Sequence, residues 1–236
     1  MPSDFLRNSL TAFRDFIYPP LCLSCNFRLS ADEDRVCRRC WDSLVRVDRA
    51  HPTWVEIAGR FEGCGLIGDM VSCYLLEEGG TLESLIHQLK YGGMKSLGRR
   101  LGAEIGRRIM ENGAIRRSDI LIPVPLHRMK RRERGFNQSD YLARGIAGVT
   151  GIPVNISLLV RTKPTATQTR LSIAARHDNV AGAFSVGRGS DAVVCGKTII
   201  LVDDVITTGS TINACAEQLI GRGVERVFAA SVALAR

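Results

Sequence analysis

Thr198-Ile-Ile-Leu-Val-Asp-Asp-Val-Ile-Thr-Thr-Gly-Ser-Thr211 decides the fold of this chain. Ile199 to Val202 make a continuous apolar run, the pattern of a strand covered on both faces. Asp203 and Asp204 fall at the carboxyl end of that strand, where open α/β sheets bind ligands. Val205 leads into a turn of Thr207, Thr208, Gly209, Ser210 and Thr211, and a helix is expected from Thr211 to Ile220, ended by Gly221 and Gly223. Gly209 lets the backbone turn tightly and approach a ligand closely. Amides of this turn and of the helix's first turn point at a common centre and suit an anion. Helix capping alone needs one such polar residue. A whole run of them after paired acids reads as a site for a phosphate and a ribose.

The chain on either side continues the pattern. Val227 to Leu234 reads as a final strand, and Asp119 to Val124 as an earlier one closed by Pro123 and Pro125. Leu82, Leu85, Ile86 and Leu89 recur at helical spacing and stop at Gly92-Gly93. Leu97, Leu101, Ile105 and Ile109 line one stripe of a second helix, Leu97 to Met110. Gln138 to Ala147 reads as a helix, Leu158 to Val160 and Ala183 to Val186 as short strands. The alternation predicts an α/β domain with a central, mainly parallel sheet over residues 81–236. Residues 51–80 read as a connecting, hood-like segment in which Phe61, Leu66, Ile67, Val71, Tyr74 and Leu75 suggest short strands. Residues 1–50 carry an amphipathic helix from Ser3 to Tyr18, a Tyr18-Pro19-Pro20 break and a cysteine motif.

That motif is Cys22-x-x-Cys25 followed by Cys37-x-x-Cys40. Two such knuckles have the spacing of a tetrahedral Zn²⁺ site, and four protein thiolates leave no open position, so the metal would be structural. Two disulfides are the alternative, disfavoured in a reducing compartment. Cys64, Cys73, Cys195 and Cys215 read as packed small apolar residues.

With 236 residues and 45% hydrophobic content, the chain can bury an α/β core plus a small module. No apolar run reaches the roughly 20 residues of a membrane span. The charged residues of the amphipathic start argue against a signal peptide, so a cytoplasmic setting is expected. The net charge of +8 points to polyanionic ligands or partners.

Two more loops matter. Pro123 to Gln138 crowds Arg128, Lys130, Arg131, Arg132 and Arg134 into one segment. Arg128, Arg131 and Arg134 suit a pyrophosphate, since the guanidinium fork grips two oxygens and the loop stands opposite the hydroxyl-glycine turn; a solvated basic loop or contact with a nucleic-acid backbone is the alternative. Residues 161–180, with Lys163 and Gln168, read as a long polar loop of the kind that closes over sites.

The Thr198–Thr211 stretch resembles the phosphoribosyl pyrophosphate (PRPP) motif of type I phosphoribosyltransferases. Taken with Leu85-Ile-His-Gln-Leu-Lys-Tyr-Gly-Gly93, Pro123-Val-Pro-Leu-His127, Arg134-Gly-Phe-Asn-Gln138, Thr165-x-x-Gln168 with Leu171, and the leading cysteine pairs, the chain resembles the ComF family. The resemblance implies a type I phosphoribosyltransferase fold behind an N-terminal zinc-knuckle module. It implies that Asp203 and Asp204 bind the ribose hydroxyls of PRPP, that Thr207 to Thr211 wrap its 5′-phosphate, and that Mg²⁺ accompanies it. It implies transfer of phosphoribosyl to an acceptor and an association with DNA uptake, with single-stranded DNA or uptake proteins as partners. A non-catalytic PRPP- or DNA-contacting accessory role is the alternative. In 6-oxopurine salvage enzymes an Asp stands where this chain has Thr207, which argues against that acceptor. The sequence names no oligomeric state.

Overall fold

The computed structural model describes residues 17, 19–162, 182–187 and 191–235. The expected N-terminal helix and the loop residues Lys163, Thr165, Gln168 and Leu171 lie outside the described residues.

The central sheet has four strands: β1 (Met70–Leu75), β2 (Ile120–Pro123), β5 (Thr198–Ile206) and β6 (Arg226–Leu234), in the order β1-β6-β5-β2 and parallel throughout. Every second residue of β5 explains why its run is apolar. Ile200 and Val202 belong to one core cluster, and Ile199 and Leu201 to another on the opposite face. The first face is covered by α3 (Thr81–Tyr91), α4 (Lys95–Glu111) and α6 (Gln138–Thr150). The second is covered by α2 (Pro52–Cys64) and α8 (Ser210–Ile220). The α/β expectation with a parallel sheet flanked by helices is what the structure has.

Helices α4 and α6 pack with almost no separation. A Cβ on Gly102 would collide with the Leu142 carbonyl, and one on Gly145 with the Arg99 carbonyl. The apolar stripe of α4 was legible in the sequence; the glycines on its contact with α6 are what let the backbones touch.

Several expectations are corrected. Phe61 sits on α2, capped by His51 Nδ1, which accepts from Thr53 N–H at 3.2 Å, with Pro52 opening the helix. It is not on a strand. Leu66 and Ile67 lie in the connection to β1, and only Met70–Leu75 is extended. The short strands β3 (Leu159–Arg161) and β4 (Phe184–Val186) pair antiparallel with each other in a separate ribbon, not with the main sheet. The basic segment is not an open loop: Arg128–Arg134 forms α5, capped by His127 and ended at Gly135 with φ 75°. A short helix, α7 (Asp191–Val194), precedes β5. Cys73 and Cys215 are buried as expected, whereas Cys64 and Cys195 are exposed.

The N-terminal module joins the same core. Cys22, Leu29, Val36, Cys37, Cys40 and Leu44, with α1 (Arg38–Asp42) between them, pack into the cluster that holds Leu85 and Val202. Arg100 of α4 pins it from outside, its guanidinium 4.3 Å from the Trp41 ring centre and bonded to the Asp34 carbonyl at 3.0 Å.

Candidate functional site

Strand register builds the site. β2 ends its pairing at Pro123 against Val202, while β5 runs on to Ile206 alongside β6. Asp203 and Asp204 are therefore the first β5 residues past the end of β2. They open onto a cavity of about 330 Å³ with Val205, Thr207 and Thr211 on one wall. Lys90, Lys130, Arg134, Arg161 and Gln138 line the rest together with the Val124-Pro125-Leu126 turn.

The two acids are held differently. Asp204 is buried and forms an ion pair with Lys90 at 2.8 Å. Asp203 accepts from Ser139 Oγ at 3.3 Å and from the Asp204 N–H at 2.9 Å. Burial, with the Asp204 carboxylate beside it, pushes the Asp203 carboxyl up to about 8 despite the opposing pull of Lys90. Burial opposes the charge on Lys90, but Asp204 and Asp203 together more than offset it and its pKa is raised.

The turn follows. Gly209 adopts φ 77°, a left-handed conformation that glycine takes without strain, and starts α8. Thr208 Oγ1 and Ser210 Oγ lie 2.8 Å apart, and the Ser210 N–H donates to Thr208 Oγ1. Residues 205–212 and Asp203 close a tight concavity around the amino end of α8, adjoining the larger cavity. An anion there faces amides that have no helical acceptor.

The Arg134–Gln138 motif builds the opposite wall. Gly135 ends α5 and Asn137 begins α6, capping the Ser139 N–H at 3.3 Å while its own amide donates to Val124 O and Asp140 Oδ1. Gln138 Oε1 accepts from Arg134 at 3.1 Å. This net fixes α5 beside the Val124–Leu126 turn. The cations of α5 then divide. Lys130 and Arg134, one turn apart, face the acid cavity. Arg128 and Arg131 line a neighbouring cavity of about 580 Å³, where Arg131 reaches Asp140 at 3.9 Å. Of the three arginines singled out in the sequence, Arg134 stands with the acids and Arg128 and Arg131 do not. Lys90 and Arg161 complete the cationic wall, and sequence reasoning assigned them no role. Lys90 was quotable only as part of the Leu85–Gly93 segment.

A second centre lies in the N-terminal module. The Cys22, Cys25, Cys37 and Cys40 sulfurs all lie within 4.8 Å of one another, Cys25 and Cys37 being 3.7 Å apart. Tetrahedral thiolate ligation of zinc places sulfurs about 3.8 Å apart. Asn26 takes the left-handed φ of 57° that turns the first knuckle back on itself, and the Cys37 N–H donates to Cys22 Sγ at 3.4 Å. Burial works against the Cys22 thiolate, but amides of Cys25, Cys37 and Ser24 draw it down to about 6. Burial and the surrounding sulfurs push Cys40 up to about 12. A dication at the centre removes that conflict, so the four residues fit zinc.

Among the described residues no helix is long and apolar enough to cross a membrane. Residues 154–236 match the phosphoribosyl transferase domain. The DNA utilization protein YhgH of Salmonella typhimurium is 32% identical over 149 residues, 62% of this chain and 64% of its own length. Competence protein F of Haemophilus influenzae is 38% identical over 109 residues, 46% of this chain and 47% of its own. Competence protein ComFC of Bacillus subtilis is 30% identical over 105 residues, 44% and 39%. The matches thus span less than two thirds of each of these relatives. The parallel sheet, the domain match and these relatives agree with one another: the chain is similar over its matched part to the ComF and YhgH proteins, and it carries a type I phosphoribosyltransferase fold behind a four-cysteine module.

Proposed function

We propose that the chain binds PRPP with Mg²⁺ and transfers its phosphoribosyl group to an acceptor, in the cytoplasm and in the service of DNA uptake. The observation that carries this reading is a cavity where paired carboxylates and four cations meet, with an adjoining concavity formed by the glycine-hydroxyl turn at a helix start. PRPP needs those three groups: acids for a vicinal diol, amides and hydroxyls for a terminal phosphate, and cations for a pyrophosphate.

Asp203 and Asp204 hold the ribose hydroxyls and Thr207 to Thr211 the 5′-phosphate. With both ends gripped, C1 is exposed to an acceptor in a defined orientation, which lowers the entropic part of the barrier. As the C1–oxygen bond breaks, positive charge grows on the ring and negative charge on the departing pyrophosphate. The carboxylates lie on the ring side, and Lys130, Arg134 and Arg161 on the leaving-group side. Magnesium, bound with the ligand, supplies further neutralisation of the pyrophosphate oxygens. Zinc on Cys22, Cys25, Cys37 and Cys40 holds the module against the core and takes no part in the chemistry.

Incubation with PRPP, Mg²⁺ and a panel of bases and amines, followed by pyrophosphate release, tests the reading. Release with one acceptor and its loss in Asp203→Ala supports it. Absence of PRPP binding by calorimetry overturns it.

A second reading, contact with single-stranded DNA, is favoured by one grouping. Lys95, Arg99 and Arg144 approach the Tyr141 ring centre at 5.6, 6.0 and 5.6 Å, and Arg134 lies 5.0 Å from that of the exposed Tyr91. The sequence shows no alternation of aromatics with the basic loop; the fold assembles one from four helices, α3, α4, α5 and α6. Stacking rings among cations suit a single strand. Salt-dependent binding of a fluorescent oligonucleotide, weakened in Tyr141→Ala and Arg99→Ala, is the expected result, and unchanged binding in both variants rules out this surface.

A further inference from the structure

We propose that Lys90 is an internal cation that closes the acid pair to a bare divalent metal, so that metal is admitted only together with a sugar phosphate. The inference rests on the reading of the cavity as a PRPP site and names how that site takes up its ligand.

Two neighbouring carboxylates on a cavity wall attract a divalent ion strongly. Here the attraction is already met. Lys90 projects from the last turn of α3 and places Nζ 2.8 Å from Asp204 Oδ2, with the lysine side chain 26% and the aspartate 8% exposed. Asp203 is engaged by Ser139 Oγ and by the Asp204 N–H. A bare metal seeking both carboxylates has to expel an ammonium from a buried pair, leaving that ammonium to be resolvated or stranded among Lys130, Arg134 and Arg161, which line the same cavity. Breaking such a pair with nothing offered in exchange is costly.

A phosphorylated sugar changes the exchange. It brings a diol for the carboxylates, and anionic oxygens to which Lys90 can turn. Lysine suits this handover because its compact charge sits on a flexible four-carbon stem, whereas an arginine fork would be held in one geometry. Lys90 thus acts as a positioning residue: it pairs with Asp204 in the empty site and joins the anion-binding wall in the filled one.

The test needs no turnover. Mn²⁺ binding, read by electron paramagnetic resonance without any sugar phosphate, is compared for the wild type, Lys90→Met, Lys90→Gln and Lys90→Arg. Wild type and Lys90→Arg should bind weakly. Lys90→Met and Lys90→Gln should each bind about tenfold or more tightly, the scale on which one nearby opposite charge acts. The gain should vanish in Lys90→Met with Asp204→Asn. Equal Mn²⁺ affinity in the wild type and in whichever neutral variant keeps the wild-type unfolding midpoint overturns the proposal. So does a gain in Lys90→Arg equal to that in Lys90→Met. PRPP titrated with Mn²⁺ separates the two readings. A Mn²⁺ gain with no PRPP binding in any variant sinks the PRPP assignment and keeps the role of Lys90. PRPP binding with no Mn²⁺ gain does the reverse.

Discussion

Phe61 of α2 lies so close to Gly209 that a Cβ built on the glycine would stand 2.5 Å from Phe61 Cε1. Gly209 starts α8 and shapes the turn that follows the acid pair, so a helix outside the phosphoribosyl transferase match sets the tightness of that turn.

Gly209→Ala should therefore fail twice, once through its left-handed backbone and once through the ring. The expected loss is about 2–4 kcal/mol, read from urea midpoints. Adding Phe61→Ala to Gly209→Ala should relieve the clash but not the backbone strain, so the two substitutions should not add. Strict additivity would show that the contact does not constrain the turn.

Asp203 gives a pH dependence with opposite signs for folding and for binding. Its carboxyl titrates at about 8 in the folded chain, against roughly 4 in an unfolded one. Between these values the folded protein keeps a proton that the unfolded chain has released. The stabilisation is fully present below the lower value, falls as pH rises through the window, and is gone above the upper one. Asp203→Asn should flatten that slope in denaturation curves. PRPP and metal favour the carboxylate, so their affinity should climb over the same window in the wild type. Affinity that falls with pH would contradict this account of Asp203.

The cysteine module should carry about one zinc per chain, measured by elemental mass spectrometry. Because Leu29, Val36 and Leu44 share a core cluster with Leu85 and Val202, stripping the metal should lower the melting temperature of the whole protein. Cys37→Ser should behave like the stripped protein. An unchanged melting temperature after verified zinc loss would mean that the module's packing does not depend on metal.

Gly102→Ala places a methyl group where α6 presents the Leu142 carbonyl. Overpacking at such a contact costs about 1–3 kcal/mol. The helix propensity of alanine, a gain of about 1 kcal/mol over glycine in an open helix, opposes it and should not prevail. A stabilised variant would mean that the two helices can separate without cost.

Much of this was legible in the chain before folding. The β5 run announced a doubly covered strand because every residue on it is apolar, whichever face it serves. The acid pair and the hydroxyl-glycine turn were legible because their spacing along a strand, turn and helix is local. The cysteine knuckles were legible for the same reason. The helix at 52–64 went unread although Trp54, Ile57 and Phe61 recur at helical spacing, and the His51-Pro52 start was the other overlooked signal. The basic segment was misread as a loop because its charges mask any periodicity, although His127 and Gly135 bracket α5 as caps.

Sequence alone determined the fold class, the adjacent acids, the turn and the four-cysteine cluster, because each is written in neighbouring residues whose geometry follows from local backbone rules. Only the tertiary structure decided which cations face those acids. Lys90 lies far from Asp204 in the chain, and α5 assigns Lys130 and Arg134 to one cavity and Arg128 and Arg131 to another. Side-chain direction on a helix depends on how that helix is docked, and docking is fixed by contacts outside the helix, here Asn137 on Val124 and Gln138 on Arg134.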